Sequence, residues 1–204
     1  MNAAELAEAK DELNLKGNFT ELFRVKVYRR NLIIMMIVWS FSAFSFFLVP
    51  FYIATIPSNI FLMSTCTAVA EIIASVICLT VTHNMDKKKS LIVFCAMSCL
   101  GTIGVMLFQW LYTGDSEIPE AATYLILYVG VVTAFDLVYV IVADLFPTIF
   151  LGTAYGCCNI LGRAIAVLSP EVARLEKPLP MLILAIFAAI ATILPFGLIK
   201  VKKE

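Results

Sequence analysis

Residues 133–170 read TAFDLVYVIVADLFPTIFLGTAYGCCNILGRAIAVLSP. Two apolar runs meet at a short polar turn, Asp144-Leu145-Phe146-Pro147-Thr148. A helix needs roughly 20 mostly apolar residues to cross a bilayer core, and each run approaches that length. Each run also holds an ionisable side chain, Asp136 in the first and Arg163 in the second. An ionised group inside a span costs about 2.5–3.5 kcal/mol or more, so it marks a pairing or functional site.

The pattern extends over the whole chain. Of its 204 residues, 61% are hydrophobic and 15% are charged. A soluble domain is about 45–50% apolar and about 25% charged. The fold class is therefore all-α, a polytopic membrane protein. Six spans are expected, at about Leu32–Ile53, Ile60–Val81, Ser90–Leu111, Ala122–Val142, Ile149–Ser169 and Leu179–Ile199. Residues 1–30 read as a polar tail. Strong helix formers over 3–13 predict a short surface helix there, and a second amphipathic piece begins at Thr20. Residues 31–200 form the six-helix bundle, and 201–204 a short basic tail. No signal peptide is read at the start, because the first apolar run begins only at Leu32.

Basic residues set the expected topology. One side holds Lys10, Lys16, Arg24, Lys26, Arg29, Arg30, Lys87, Lys88, Lys89, Lys200, Lys202 and Lys203. The other holds only Arg174 and Lys177. Both termini are thus expected on the cytoplasmic or equivalent side of the membrane.

Several function classes find no support. No Gly-rich phosphate loop, nucleophile elbow or HExxH motif occurs, so an enzyme is not indicated. Basic clusters only flank apolar runs, which argues against nucleic acid. The six cysteines lie inside apolar runs without metal-ligand spacing and read as small packing residues. His83, beside Asn84 and Asp86, reads as a loop residue. No cofactor or metal is expected, and lipid is the expected surrounding.

Two spans carry a small and polar stripe at helical spacing. In the second span it comprises Ser64, Thr67, Ala68, Glu71, Ala74, Ser75 and Cys78. In the fifth it comprises Gly152, Tyr155, Gly156, Asn159, Gly162, Arg163, Ala166 and Ser169. Small residues on one stripe let helices approach closely. Glu71, Asp136, Asn159 and Arg163 are the candidates for a solute or coupling ion. Arg163 has three possible partners: Glu71, Asp136 or a solute anion; a structural ion pair is the plainer alternative. Asp144 is expected to cap the start of the fifth span, with Pro147 in its first turn.

The segment Ala143-Asp144-Leu145-Phe146-Pro147-Thr148 resembles the acid-Leu-Phe-Pro-Thr signature of the major facilitator superfamily. The branch it resembles most holds the organic cation and anion transporters and synaptic-vesicle-glycoprotein-like proteins. Thr20-Glu21-Leu22-Phe23, the basic residues after it, Asn31 and Trp39 resemble that branch's seventh helix. Glu71 falls where the branch often has an acid. Asp86-Lys87-Lys88-Lys89 resembles its loop between helices eight and nine. Gly162-Arg163 to Ser169-Pro170 resembles helix eleven, where the branch carries a charge at the position of Arg163. The resemblance covers about residues 19–200. It implies half of a major-facilitator bundle, with Asp86, Lys87, Lys88, Lys89, Asp144, Pro147 and Thr148 as inner-loop gating residues.

The chain departs from that pattern in named places. It has six spans where the family has twelve. Lys89 stands where a glycine is expected, Phe150 and Leu151 where an arginine is expected, and Asp136 where a neutral amide is commoner. Two functions fit. The first is transport of a small organic solute, anionic if it binds Arg163, by a half-size transporter acting with a second half, either the same chain or another. The second is a transport-inactive, transporter-derived accessory subunit of a larger membrane complex.

Overall fold

A computed structural model describes residues 19–55, 60–111 and 117–199. The expected surface helix over 3–13 and the tail at 201–204 lie outside the described residues. The described chain is helical: α1 (Phe19–Arg24), α2 (Lys26–Ile53), α3 (Ile60–Asn84), α4 (Lys87–Leu111), α5 (Glu117–Leu145), α6 (Thr148–Ala166), α7 (Ser169–Ala173) and α8 (Leu179–Ile193), then a 3-10 turn over Leu194–Gly197. Six segments are long and apolar enough to cross a bilayer, with α6 and α7 forming one and α8 with its 3-10 turn another. The protein is a six-span membrane helical bundle.

The ends of the spans differ from the hydropathy reading. α2 starts at Lys26, not Leu32, because Lys26–Arg30 are competent helix formers and no glycine or proline interrupts them. Val25, in extended conformation, separates it from α1. α5 starts at Glu117, and Pro119 is tolerated because first-turn N–H groups lack helical partners anyway. α8 stops at Ile193, although the sixth span was expected to continue to Ile199. Pro195 has no N–H for the carbonyl four residues back, so the chain tightens into the 3-10 turn.

α2 and α5 form the centre, with 72% and 67% of their most apolar stretches buried. α3 packs mainly on α5, and α6 mainly on α2. These four form a row, α3–α5–α2–α6, whose outer members are only 17% and 22% buried. α4 packs on α5, and α8 packs on α4 and on α2. Hydroxyls inside α2, α4 and α5 satisfy themselves locally: Ser42, Ser45, Thr102 and Thr133 donate to the carbonyl four residues back. Polar links also cross between helices in the interior. Ser169 Oγ donates to Phe44 O at 3.0 Å. Gln109 joins Tyr52 and Tyr124, accepting from the first at 3.1 Å and donating to the second at 2.9 Å.

The basic end is held by a clasp between residues 168 apart. Asn31 is fully buried. Its Nδ2 donates to Ile199 O at 2.8 Å, and Ile199 N donates to its Oδ1 at 3.0 Å. Lys88 Nζ donates to Phe196 O and Leu198 O at 3.0 and 2.8 Å. Asn31→Ala removes the side-chain partner of both the N–H and the C=O of Ile199, an exposed residue at the bundle end. The expected cost is about 1–2 kcal/mol, the net worth of two hydrogen bonds. Amide exchange at Ile199 should rise by an order of magnitude or more; unchanged exchange there would show that the clasp carries no load.

Candidate functional site

Three ionisable side chains sit well inside the spans. Glu71 lies near the middle of α3, roughly 16–20 Å from either end at about 1.5 Å per residue. Arg163 lies deep in the α6–α7 span, and Asp136 lies nine residues before the end of α5. Glu71 and Arg163 are exposed on the bundle, and Asp136 is half-buried.

The structural ion pair weighed from the sequence is not formed. The described residues give Arg163 no ion-pair partner. Its helix packs on α2, while the acids belong to α3 and α5, so the row of helices separates them. Glu71 instead accepts a hydrogen bond from the Tyr128 hydroxyl at 3.1 Å. Asp136 faces α3, within electrostatic reach of Glu71 and Cys78. The two carboxylates thus form one acidic edge, and Arg163 stands apart as a basic edge.

Aromatic rings line the ground between them. Phe46 stacks on Phe135 with centroids 4.9 Å apart, and Phe135 meets Tyr139 edge-on at 5.4 Å. Tyr139 lies 4.3 Å from the buried Trp39, and Tyr155 lies 5.8 Å from the same indole. Tyr155 also donates its hydroxyl to Tyr139 O at 2.6 Å, tying α6 to α5. Phe46, Phe135, Tyr139 and Tyr155 are each partly open. Carboxylates close to half-buried aromatic rings suit an organic cation, chiefly through charge. Of these rings the sequence analysis names Trp39 and Tyr155, and it does not single out Phe46, Phe135 or Tyr139. Tyr124 and Tyr128, four apart within an apolar run, carried a signal: a buried phenol seeks a partner for its hydroxyl.

The two stripes divide once they are placed. In α3, Ala74 and Cys78 turn inward with Met63 and Ala70, while Ser64, Ala68, Glu71 and Ser75 stay exposed. In α6, Gly162 is a packing glycine: a Cβ there would lie 2.7 Å from Trp39 Cδ1. Gly152 and Gly156 are different, since a Cβ at either would meet nothing within 4 Å. Asn159 is half-buried, and the described residues give its side chain no hydrogen-bond partner.

The structure brings some of the inner-loop residues together and corrects one local expectation among them. Asp144 does not cap α6. It sits in the last turn of α5 and pairs with Lys87, Nζ to Oδ2 at 2.7 Å. Pro147, not Asp144, is the residue before α6, and no side chain caps that helix. The exposed setting of the pair limits it to about 1 kcal/mol or less. Asp86 accepts from Lys88 N at 3.3 Å at the start of α4. Lys88 is occupied by the chain end, and Lys89 and Thr148 are exposed.

No protein-family model matches the chain. It is 22% identical to organic cation transporter 1 of Caenorhabditis elegans, over 97% of this chain and 33% of that protein. The chain spans about a third of the length of the curated relative it matches.

Proposed function

We propose that this chain forms one wall of a membrane transporter for a small organic solute, completed by a second helical bundle. One observation carries the reading: Glu71 and Arg163 are exposed on the bundle at depths where lipid tails would otherwise meet them. A charged face at mid-membrane needs water, a solute or a protein partner. Where two bundles related by an axis along the membrane normal meet, solute binds between them near the midplane. The six-span fold and the similarity to a transporter support half of a major-facilitator bundle, and the distribution of basic residues favours both termini on the cytoplasmic side.

An anionic solute was expected from Arg163 alone. The side chains around Glu71 favour the opposite sign, with two carboxylates close together near half-buried aromatic rings. The solute is therefore an organic cation held at the Glu71–Asp136 edge. Arg163 pairs with a carboxylate supplied by the second bundle.

A second reading rests on Gly152 and Gly156. Their open, small-xxx-small spacing suits the close approach of another helix. That contact also fits an accessory subunit packed permanently into a larger complex.

The experiment is the native mass of the particle extracted in mild detergent, followed by uptake of a radiolabelled quaternary ammonium compound into proteoliposomes. Two bundles per particle with saturable uptake is the expected result. A stable particle of many unrelated subunits without uptake would establish the accessory reading instead. A lone chain without uptake would end both.

A further inference from the structure

α4 and α8 differ from α3 and α6, whose exposed faces include Glu71 or Arg163. From Ser90 to Leu111 and from Leu179 to Ile199 there is no Asp, Glu, Lys or Arg. Their exposed residues are large and apolar, among them Leu100, Ile103, Leu107, Leu182, Ile186 and Ile190. This is the surface of helices that meet lipid. A groove of about 610 Å³ runs between the two helices at the end remote from the basic clasp. That volume lies inside the range of about 300–1,000 Å³ typical of ligand sites.

The lining is apolar along its length, with Met106 and Leu107 from α4 and Leu182, Ala185 and Ile186 from α8. Gln109 also reaches it, but its amide is already engaged by Tyr52 and Tyr124. The mouth is different. Trp110, 78% exposed, stands on one side, and Lys177 on the other. Indole rings favour the membrane–water interface, so the mouth lies at headgroup level. Arg174 is the other basic residue at this end, and it pairs with Glu171 at 3.5 Å. Among the described residues Lys177 has no ion-pair partner.

We propose that this groove is a site for an anionic phospholipid. One acyl chain lies in the groove between α4 and α8, and the headgroup phosphate is bound by Lys177. Charge complementarity chooses the occupant: among the residues that line the groove Lys177 alone is charged, so a hydrocarbon channel ends at an ammonium, which matches an acyl chain ending in a phosphate. An apolar protein partner would leave Lys177 unanswered at the rim. The proposal does not depend on the transport reading.

The two tryptophans make it testable in the intact chain. Trp110 lines the groove, and Trp39 is buried in the bundle and serves as an internal reference. The chain is reconstituted into phosphatidylcholine vesicles containing increasing fractions of phosphatidylglycerol with dibrominated acyl chains, which quench indole fluorescence on contact. The control series uses dibrominated phosphatidylcholine. Trp110 is expected to be quenched at about fivefold lower mole fraction of the anionic lipid, the preference that one lysine near an anionic headgroup supplies. Lys177→Gln should erase the preference, and Ala185→Phe, which fills the groove while keeping Lys177, should erase it too. Unchanged Trp39 emission confirms that each variant is folded. Equal quenching by both lipids in the wild-type chain overturns the proposal. So does a preference that survives Lys177→Gln. Trp110 protected from both lipids would show that protein covers the groove and would also overturn it.

Discussion

Gly101→Val is expected to destabilise the bundle by about 3 kcal/mol or more, at the upper end of overpacking penalties. An ideal Cβ at Gly101 would lie 2.8 Å from Leu127 Cα and 3.2 Å from Leu127 N. Those atoms are backbone, so no rotamer change relieves the clash; α4 and α5 must move apart. The same interface is tight from the other side, where a Cβ at Gly130 would lie 3.0 Å from Ser98 N. α5 is the central helix that carries Tyr128 and Asp136, so displacing it also disturbs the acidic edge. Gly156→Ala is the matched control. It adds a Cβ into open space and should leave the bundle's own stability unchanged within about 1 kcal/mol, the propensity difference between the two residues. Thermal unfolding of both variants in one detergent makes the comparison. Equal midpoints would mean that α4 and α5 do not approach at Gly101.

The contrast between these glycines also shows where sequence reasoning stops. Hydropathy alone located six spans, because a bilayer imposes one length on every helix. It placed Glu71, Asp136 and Arg163 inside those spans, because a lone charge in an apolar run is visible without any structure. It did not separate Gly162, which packs against Trp39, from Gly152 and Gly156, which pack against nothing in the bundle. The three share one helical stripe, and only the position of α2 distinguishes them. Gly101 and Gly130 were missed because their closeness depends on two helices crossing, although Cys95, Ser98, Gly101 and Gly104 recur every three residues in α4 and carried a signal for it. The same holds for long-range partners. Glu71 and Tyr128 are 57 residues apart, and Asn31 and Ile199 are 168 apart. Asp144 was read as a cap from its neighbours in sequence. Its partner Lys87 enters from the start of α4, which a local pattern does not reveal.

Glu71→Gln is expected to lower uptake of a quaternary ammonium solute by roughly 10- to 100-fold, since contacts to a charged group contribute about 1.5–3 kcal/mol and 1.4 kcal/mol is tenfold. The amide keeps the length of the side chain and still accepts the Tyr128 hydroxyl, so the change isolates the charge. Asp136→Asn should act in the same direction and less than additively, because the two carboxylates repel each other and share one site. Arg163→Ala should behave differently. It leaves the acidic edge intact and is expected to weaken association with the second bundle, with Arg163→Lys restoring part of it. None of these exposed or half-exposed positions holds the bundle together, so unfolding midpoints should stay near wild type. That separation makes the outcome readable. Reduced uptake in Glu71→Gln with normal assembly places the solute at the acidic edge. Wild-type uptake in both acid variants would sink the cation-binding reading and return attention to Arg163. If wild type carries no solute and Arg163→Ala dissociates a multi-subunit particle, the charged face is a docking surface, and the bundle works as a structural element of that assembly.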